Sequence, residues 1–188
     1  RIETCIEQPT CDHGVFISAD TNEASRTCSP CGNNTYQDQT EHRIETCIEQ
    51  PTCGTGQFIS ADTKQAARTC SDCGANTYQD QTGHRVEACI AQPTCDKGEF
   101  ISADSSESEQ TCSACGANTY QDQTAHRVET CMTQTTCHEG QFISADTNQA
   151  ARTCSACGAD TYQNETEHRV ETSITQTTCG KGQFISAD

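Results

Sequence analysis

The chain is 188 residues long, with 17 Cys, no Trp, one Met, 5% aromatic residues and a net charge of -16 at pH 7. Cysteine at that density marks a disulfide scaffold of the secreted kind, and a chain with so few large apolar side chains needs covalent staples in place of a conventional core. The charge excludes a nucleic-acid footprint and a direct anionic-membrane partner, and no apolar run approaches the roughly 20 residues of a membrane span.

An internal repeat organises everything else. His-Arg recurs at 42–43, 84–85, 126–127 and 168–169, a period of 42 without insertion or deletion, and Arg1 matches Arg43, Arg85, Arg127 and Arg169. The units are 1–42, 43–84, 85–126 and 127–168, followed by a partial fifth at 169–188. The chain begins without Met, and both ends are expected to cut a longer array. A second period of about 21 residues lies inside the first, alternating a Tyr type (Tyr36, Tyr78, Tyr120, Tyr162) with a Phe type (Phe16, Phe58, Phe100, Phe142, Phe184).

Within one unit, "RIETCIE" alternates apolar and polar positions and predicts a short strand. Gly14, Gly56, Gly98, Gly140 and Gly182 stand two residues before each Phe, where a tight turn is expected. "ISAD" follows, and its Asp20, Asp62, Asp104 and Asp146 are expected to cap turns rather than to build a calcium loop, because no dense oxygen-ligand set accompanies them. "DTKQAART" allows one helical turn. A C-x2-C comes next, with Gly32, Gly74, Gly116 and Gly158 just behind it as further turn positions. His42, His84, His126 and His168 close the units and are expected at the surface, although a repeated His is also the residue type for metal binding or pH sensing.

Each unit spaces its sulfurs as C-x5-C-x16-C-x2-C. C-x2-C is a zinc half-site in other settings, and one unit holds enough thiols for one zinc. The Thr-rich, acidic, Lys-poor context and two glycosylation sequons favour an oxidising compartment and disulfides instead, and a redox C-x-x-C would need a βαβ setting that is absent. Two pairings compete. A sequential scheme closes each half-unit on itself: Cys11–Cys28, Cys31–Cys47, Cys53–Cys70, Cys73–Cys89, Cys95–Cys112, Cys115–Cys131 and Cys137–Cys154. Each loop then has one aromatic to pack on its own cystine, and the half-unit symmetry favours this scheme. A crossed scheme pairs Cys28 with Cys47 and Cys31 with Cys53, and so on. In the fifth unit "VETSITQTTC" has Ser173 where "IETCIEQPTC" has Cys. The sequential scheme therefore leaves Cys157 unpaired, with Cys5 and Cys179 single for lack of partners in the segment; the crossed scheme orphans Cys154. An odd thiol in a secreted chain points to an intermolecular bond or a reactive group.

"CGTGQFISADTKQAARTCSDCGANTY" resembles the cysteine-rich repeats of tumour necrosis factor receptors and the related ephrin-receptor-like repeats. The shared signature is a Cys, a Gly two or three residues on, an aromatic two later, and a Cys that opens a C-x2-C. The resemblance runs through every unit. It implies modules stacked end to end as elongated, disulfide-laddered rods outside the cell, with Cys53–Cys70 matching the family's single-disulfide submodule. The receptor repeat usually carries six Cys, and this one carries four.

The fold class expected is therefore small disulfide-rich β, an elongated tandem array of 42-residue cysteine-rich modules with little regular secondary structure. Sequons at Asn33 ("NNT") and Asn164 ("NET") are candidate N-glycan sites. Thr10, Thr52, Thr94, Thr136 and Thr178, before the second Cys of each close pair, are candidate O-glycan sites. No Ser–His–Asp set, phosphate loop or paired carboxylates stand out, so the chain is expected to be no enzyme and to need no cofactor. The near-identity of the units suits a structural segment of an extracellular or cell-surface filament that self-associates head to tail or laterally. A ligand-binding or adhesive ectodomain of the tumour necrosis factor receptor type is the alternative. Divalent cations remain candidate partners.

Overall fold

A computed structural model describes residues 5–182; Arg1 and Phe184 lie outside them. The chain is a small disulfide-rich β fold of repeated modules of about 42 residues, with short paired strands and no helix among the described residues. Contacts group it into two compact units: Arg1–Gln92 with Asp104–Glu109, and Pro93–Ala103 with Gln110–Asp188.

Every module is built from two antiparallel hairpins. In the first module Val15–Ile17 pairs with Cys28–Pro30, setting Ile17 opposite Cys28. Thr35–Tyr36 then pairs with Ile48–Glu49 across the 42/43 repeat boundary, setting Tyr36 opposite Ile48, so a structural module runs from one Phe hairpin through the Tyr hairpin that follows it. The same two hairpins recur at Gln57–Ile59 with Cys70–Asp72 and Thr77–Tyr78 with Ile90–Ala91, at Glu99–Ile101 with Cys112–Ala114 and Thr119–Tyr120 with Met132–Thr133, and at Gln141–Ile143 with Cys154–Ala156 and Thr161–Tyr162 with Ile174–Thr175. The alternating "RIETCIE" pattern predicts a longer strand than forms. Only Ile48–Glu49 is strand there, because Ile44 gives its carbonyl to the amide of Ile17 and its own amide to His42 Nδ1. "DTKQAART" is a chain of bends, and the left-handed backbone of Lys64 (φ 57) stops the helical turn that its composition allows.

The structure closes seven disulfides: Cys11–Cys28, Cys31–Cys47, Cys53–Cys70, Cys73–Cys89, Cys95–Cys112, Cys115–Cys131 and Cys137–Cys154. Each module thus holds a Phe loop and a Tyr loop, named for the aromatic inside. A loop of 16 or 17 residues removes about 3 kcal/mol of unfolded-chain entropy in the simple model.

The apolar core is small and sits mainly in the Phe loops, with Cys31, Tyr78 and Cys115 of the Tyr loops also buried. Ile17, Ile59, Ile101 and Ile143 are 0–1% exposed, beside the buried sulfurs of Cys11, Cys53, Cys95 and Cys137. The aromatic expected to pack on each cystine is only half-buried; in a strand of period two, Ile17 faces inward and Phe16 faces the other way. Buried polar side chains fill the rest. Arg68 donates through Nε to the carbonyl of Ser60 and through Nη2 to Glu87 at 2.6 Å, while its own amide donates to Gln50 Oε1 at 2.7 Å. Arg26 and Arg152 repeat this pattern with Glu45 and Glu171, and Gln110 takes the same position in the third module, donating to Ser102 O at 2.6 Å.

Modules interlock through the loop after "ISAD". Gln37 N donates to Lys64 O, Gln79 N to Ser106 O and Gln121 N to Asn148 O, at 2.9–3.1 Å. The same loops press on Gly14, Gly56 and Gly98, each two residues before a Phe. A Cβ at Gly98 (φ +83) would stand 2.9 Å from the Asn148 side chain, and one at Gly56 (φ +72) would stand 3.0 Å from Ser106 Oγ. Glycine is required at both for backbone and for space.

Candidate interaction surface

The Tyr loops turn sharply after C-x2-C. Thr77 N donates to Gly74 O at 3.1 Å, and the left-handed residue of that turn is Asn76 (φ 60), not the glycine. Asn34, Asn118 and Asp160 hold the same conformation in the other modules, which suits short polar side chains. The turn sends Thr77–Tyr78 back against Ile90–Ala91 and leaves the partner strand's apolar residue in solvent. Ile48, Ile90, Met132 and Ile174 are 45%, 45%, 39% and 44% exposed. Each sits opposite a Tyr, one per module, 42 residues apart. Tyr78 is the most covered of those Tyr, at 8% exposed, and its phenol is pushed above the ordinary range by burial first and then by Glu109 and Asp80. A recess of about 310 Å³ opens beside the first such hairpin, between Phe16, Gly32, Thr35 and residues 45–47.

The remaining candidates fall at separate places. Asn33 is exposed in the turn before Thr35, whose Oγ1 donates to Gly32 O at 3.0 Å, and Asn164 and Thr166 are exposed in the loop after Tyr162. Thr10, Thr52, Thr94 and Thr178 are exposed, while Thr136 is half-buried. Cys5 and Cys179 are exposed free thiols, and Cys157 is a half-buried one. Ser173 stands in the segment where the other Tyr loops have their closing Cys, yet the hairpin Thr161–Tyr162 with Ile174–Thr175 forms in the same register as its disulfide-closed counterparts. Asp62 accepts the amide of Lys64 at 3.2 Å, and Asp146 lies 3.8 Å from the Arg152 guanidinium. The one cluster of metal-ligand type among the described residues is Cys95, Glu99 and Cys112. Its two sulfurs are joined to each other, so a single carboxylate is left as donor.

The four repeated histidines are not surface copies. His42, His84, His126 and His168 are 6–7% exposed. Each accepts at Nδ1 from the amide two residues on and donates from Nε2 to a carbonyl across the module. Gln50, Gln92 and Gln134 are equally buried, with amide groups turned to backbone carbonyls of the following loop. Composition argues against burying Gln and His. The signal that could have found them is their presence at one fixed position in unit after unit while flanking residues vary, as in "IEQ", "IAQ" and "MTQ".

No family model and no curated protein matches the chain. Among solved structures it is similar to a chain of the human RANKL/OPG complex, at 19% identity over 79% of this chain and 90% of that one, TM-score 0.36. A chain of the mouse RANKL-OPG complex is similar at 20% identity over 67% and 90%, TM-score 0.31. At these values the likeness assigns no function. Tandem modules with seven disulfides fit the cysteine-rich receptor repeat that the sequence resembles. No helix among the described residues is long and apolar enough to cross a membrane.

Proposed function

We propose that the chain is a non-enzymatic, extracellular, partner-binding ectodomain, in which each module offers the same contact point to a protein ligand or adhesive partner. The observation that supports this reading is the exposed apolar side chain repeated at Ile48, Ile90, Met132 and Ile174. A monomeric protein with so few large apolar residues has reason to bury them. Four at equivalent places in solvent suit contact with something else. Repetition then gives avidity from weak single contacts. Seven disulfides suit the oxidising space outside the cell, and glycans at Asn33 and Asn164 belong to the same reading.

A self-assembling filament rests on the uniformity of the modules alone. A net charge of -16 on every copy opposes it at physiological salt. Sedimentation velocity separates the two: a monomer across concentrations fits the binding reading, and concentration-dependent growth into fibres returns the filament. The binding test itself is a screen of the immobilised chain against secreted and cell-surface proteins. Saturable binding that I48E/I90E/M132E/I174E loses, with its disulfide map unchanged, supports the proposal. A partner held equally well by that variant contradicts the contact point.

A further inference from the structure

The buried histidines have fixed proton positions. Nδ1 of His42, His84, His126 and His168 accepts from the amides of Ile44, Val86, Val128 and Val170, each at 3.1 Å. A nitrogen that accepts an N–H carries no proton, so Nε2 is the protonated atom. Nε2 meets a carbonyl in every case: Asp12 at 3.2 Å, Gly54 at 3.0 Å, Asp96 at 3.1 Å and His138 at 3.2 Å. The neutral Nε2–H tautomer satisfies both contacts and no other form does.

The contacts join the two loops of a module. His84 lies in the Cys73–Cys89 loop, and Gly54 lies in the Cys53–Cys70 loop. Backbone bonds run alongside, Cys53 N to His84 O at 2.9 Å and His84 N to Cys53 O at 3.2 Å. The residue whose amide the ring accepts also matters: Val86 O takes the amide of the fully buried Ile59 at 2.9 Å. The imidazole therefore sets the backbone against which the apolar core of the Phe loop is paired.

We infer that these four histidines form a repeated acid-sensitive latch between the Phe loop and the Tyr loop of each module. Protonation at Nδ1 turns an acceptor into a donor aimed at an amide N–H. The amide loses its acceptor beside a ring that is 6–7% exposed, and the segment 84–86 is released from the Phe loop. Four copies make the response a property of the array, and a partner bound across modules would meet a looser surface in acid. The facing turns differ in charge: Asp12 and His13 in the first module, none across Gly54, Thr55 and Gly56 in the second, Asp96 and Lys97 in the third, His138 and Glu139 in the fourth. On the histidine's own segment, Arg43, Arg85 and Arg169 sit next door and donate to carbonyls of the chain before the Phe loop, Glu41 and Glu167 precede two of the rings, and Glu45, Glu87, Glu129 and Glu171 follow three residues on. His84, with an uncharged facing turn, is the latch to follow.

The test is thermal unfolding of the full, disulfide-intact chain at pH 7.5 and pH 5.5, where carboxylates stay ionised. The wild type is expected to lose roughly 5 °C or more. The variant H42N/H84N/H126N/H168N, whose amide oxygens accept at either pH, is expected to melt at nearly one temperature in both. A wild type indifferent to this pH change, or a variant that falls as far, overturns the latch. Should the variant not fold, ¹⁵N NMR of the wild type decides. Unprotonated Nδ1 in four rings at pH 7.5, gaining a proton on acidification together with loss of protection at the amides of 44, 86, 128 and 170, supports it. Protonation that leaves those amides unchanged, or an Nδ1–H tautomer at neutral pH, overturns it. His13 and His138, both exposed, serve as internal controls.

Discussion

The two loops of a module are closed by disulfides of nearly equal span, 17 residues for Cys53–Cys70 and 16 for Cys73–Cys89, yet they carry unlike interiors. The Phe loop buries Ile59 and Arg68; the Tyr loop puts Ile90 in solvent and buries His84 and Gln79. The last Tyr loop carries the contrast further. It keeps its hairpin register with Ser173 in place of a half-cystine, while Tyr162 is 40% exposed against 8% for Tyr78. A disulfide in this fold limits the unfolded chain more than it dictates strand pairing. Scaffold and display are divided between loops, and the sulfur serves both.

Removing the staple from a Phe loop is the strongest way to break this division. C53A/C70A is expected to cost roughly 5 kcal/mol in denaturant unfolding, because a cystine that lines the core leaves a cavity as well as a longer free chain. C73A/C89A should cost closer to 3 kcal/mol, and equal losses would deny the distinction. Ile59→Ala should cost about 4 kcal/mol by the same measurement, while Ile90→Ala stays within about 0.5 kcal/mol. Ser173→Cys is expected to close the open Tyr loop with Cys157 and to add about 3 kcal/mol to that segment, read as protection of its amides from exchange. Free thiol at both positions in oxidised protein would deny it.

Arg68→Gln has a precedent in Gln110, which fills the same position and keeps the bond to a serine carbonyl. It loses the pair with Glu87, whose side chain is 53% exposed, so solvent screening holds the expected cost to about 1 kcal/mol. The smallest effect belongs to Tyr78. The phenolate absorbance lost in Tyr78→Phe should titrate above the ordinary value of about 10, since burial and then Glu109 and Asp80 oppose its charge.

The repeated β modules were legible because Cys, Gly and aromatic positions recur at a fixed period, and each answers to a local demand: a staple, a left-handed turn, a strand. The interior was less legible. Phe16 reads as the core residue by size, but strand alternation hands that place to Ile17. Residues 43–49 alternate like a strand, yet only two of them pair, because their neighbours bond to the Phe loop instead. His84 reads as a polar surface residue and is a buried connector. Its burial depends on Gly54 and Val86 meeting it in space, and neither is adjacent in any local pattern. A chain poor in apolar residues fills its interior with Gln, His and Arg that bond mainly to backbone, with Arg26, Arg68 and Arg152 also reaching Glu45, Glu87 and Glu171, and hydropathy is blind to that solution.

Peptide mapping without reduction tests the two-loop module most directly. Cleavage before Asp72 divides the Cys70-Ser71-Asp72-Cys73 run. Cys70 is expected linked to Cys53 in one fragment set and Cys73 linked to Cys89 in the other. A Cys31–Cys53 link, predominantly free thiols, or stoichiometric zinc would contradict it.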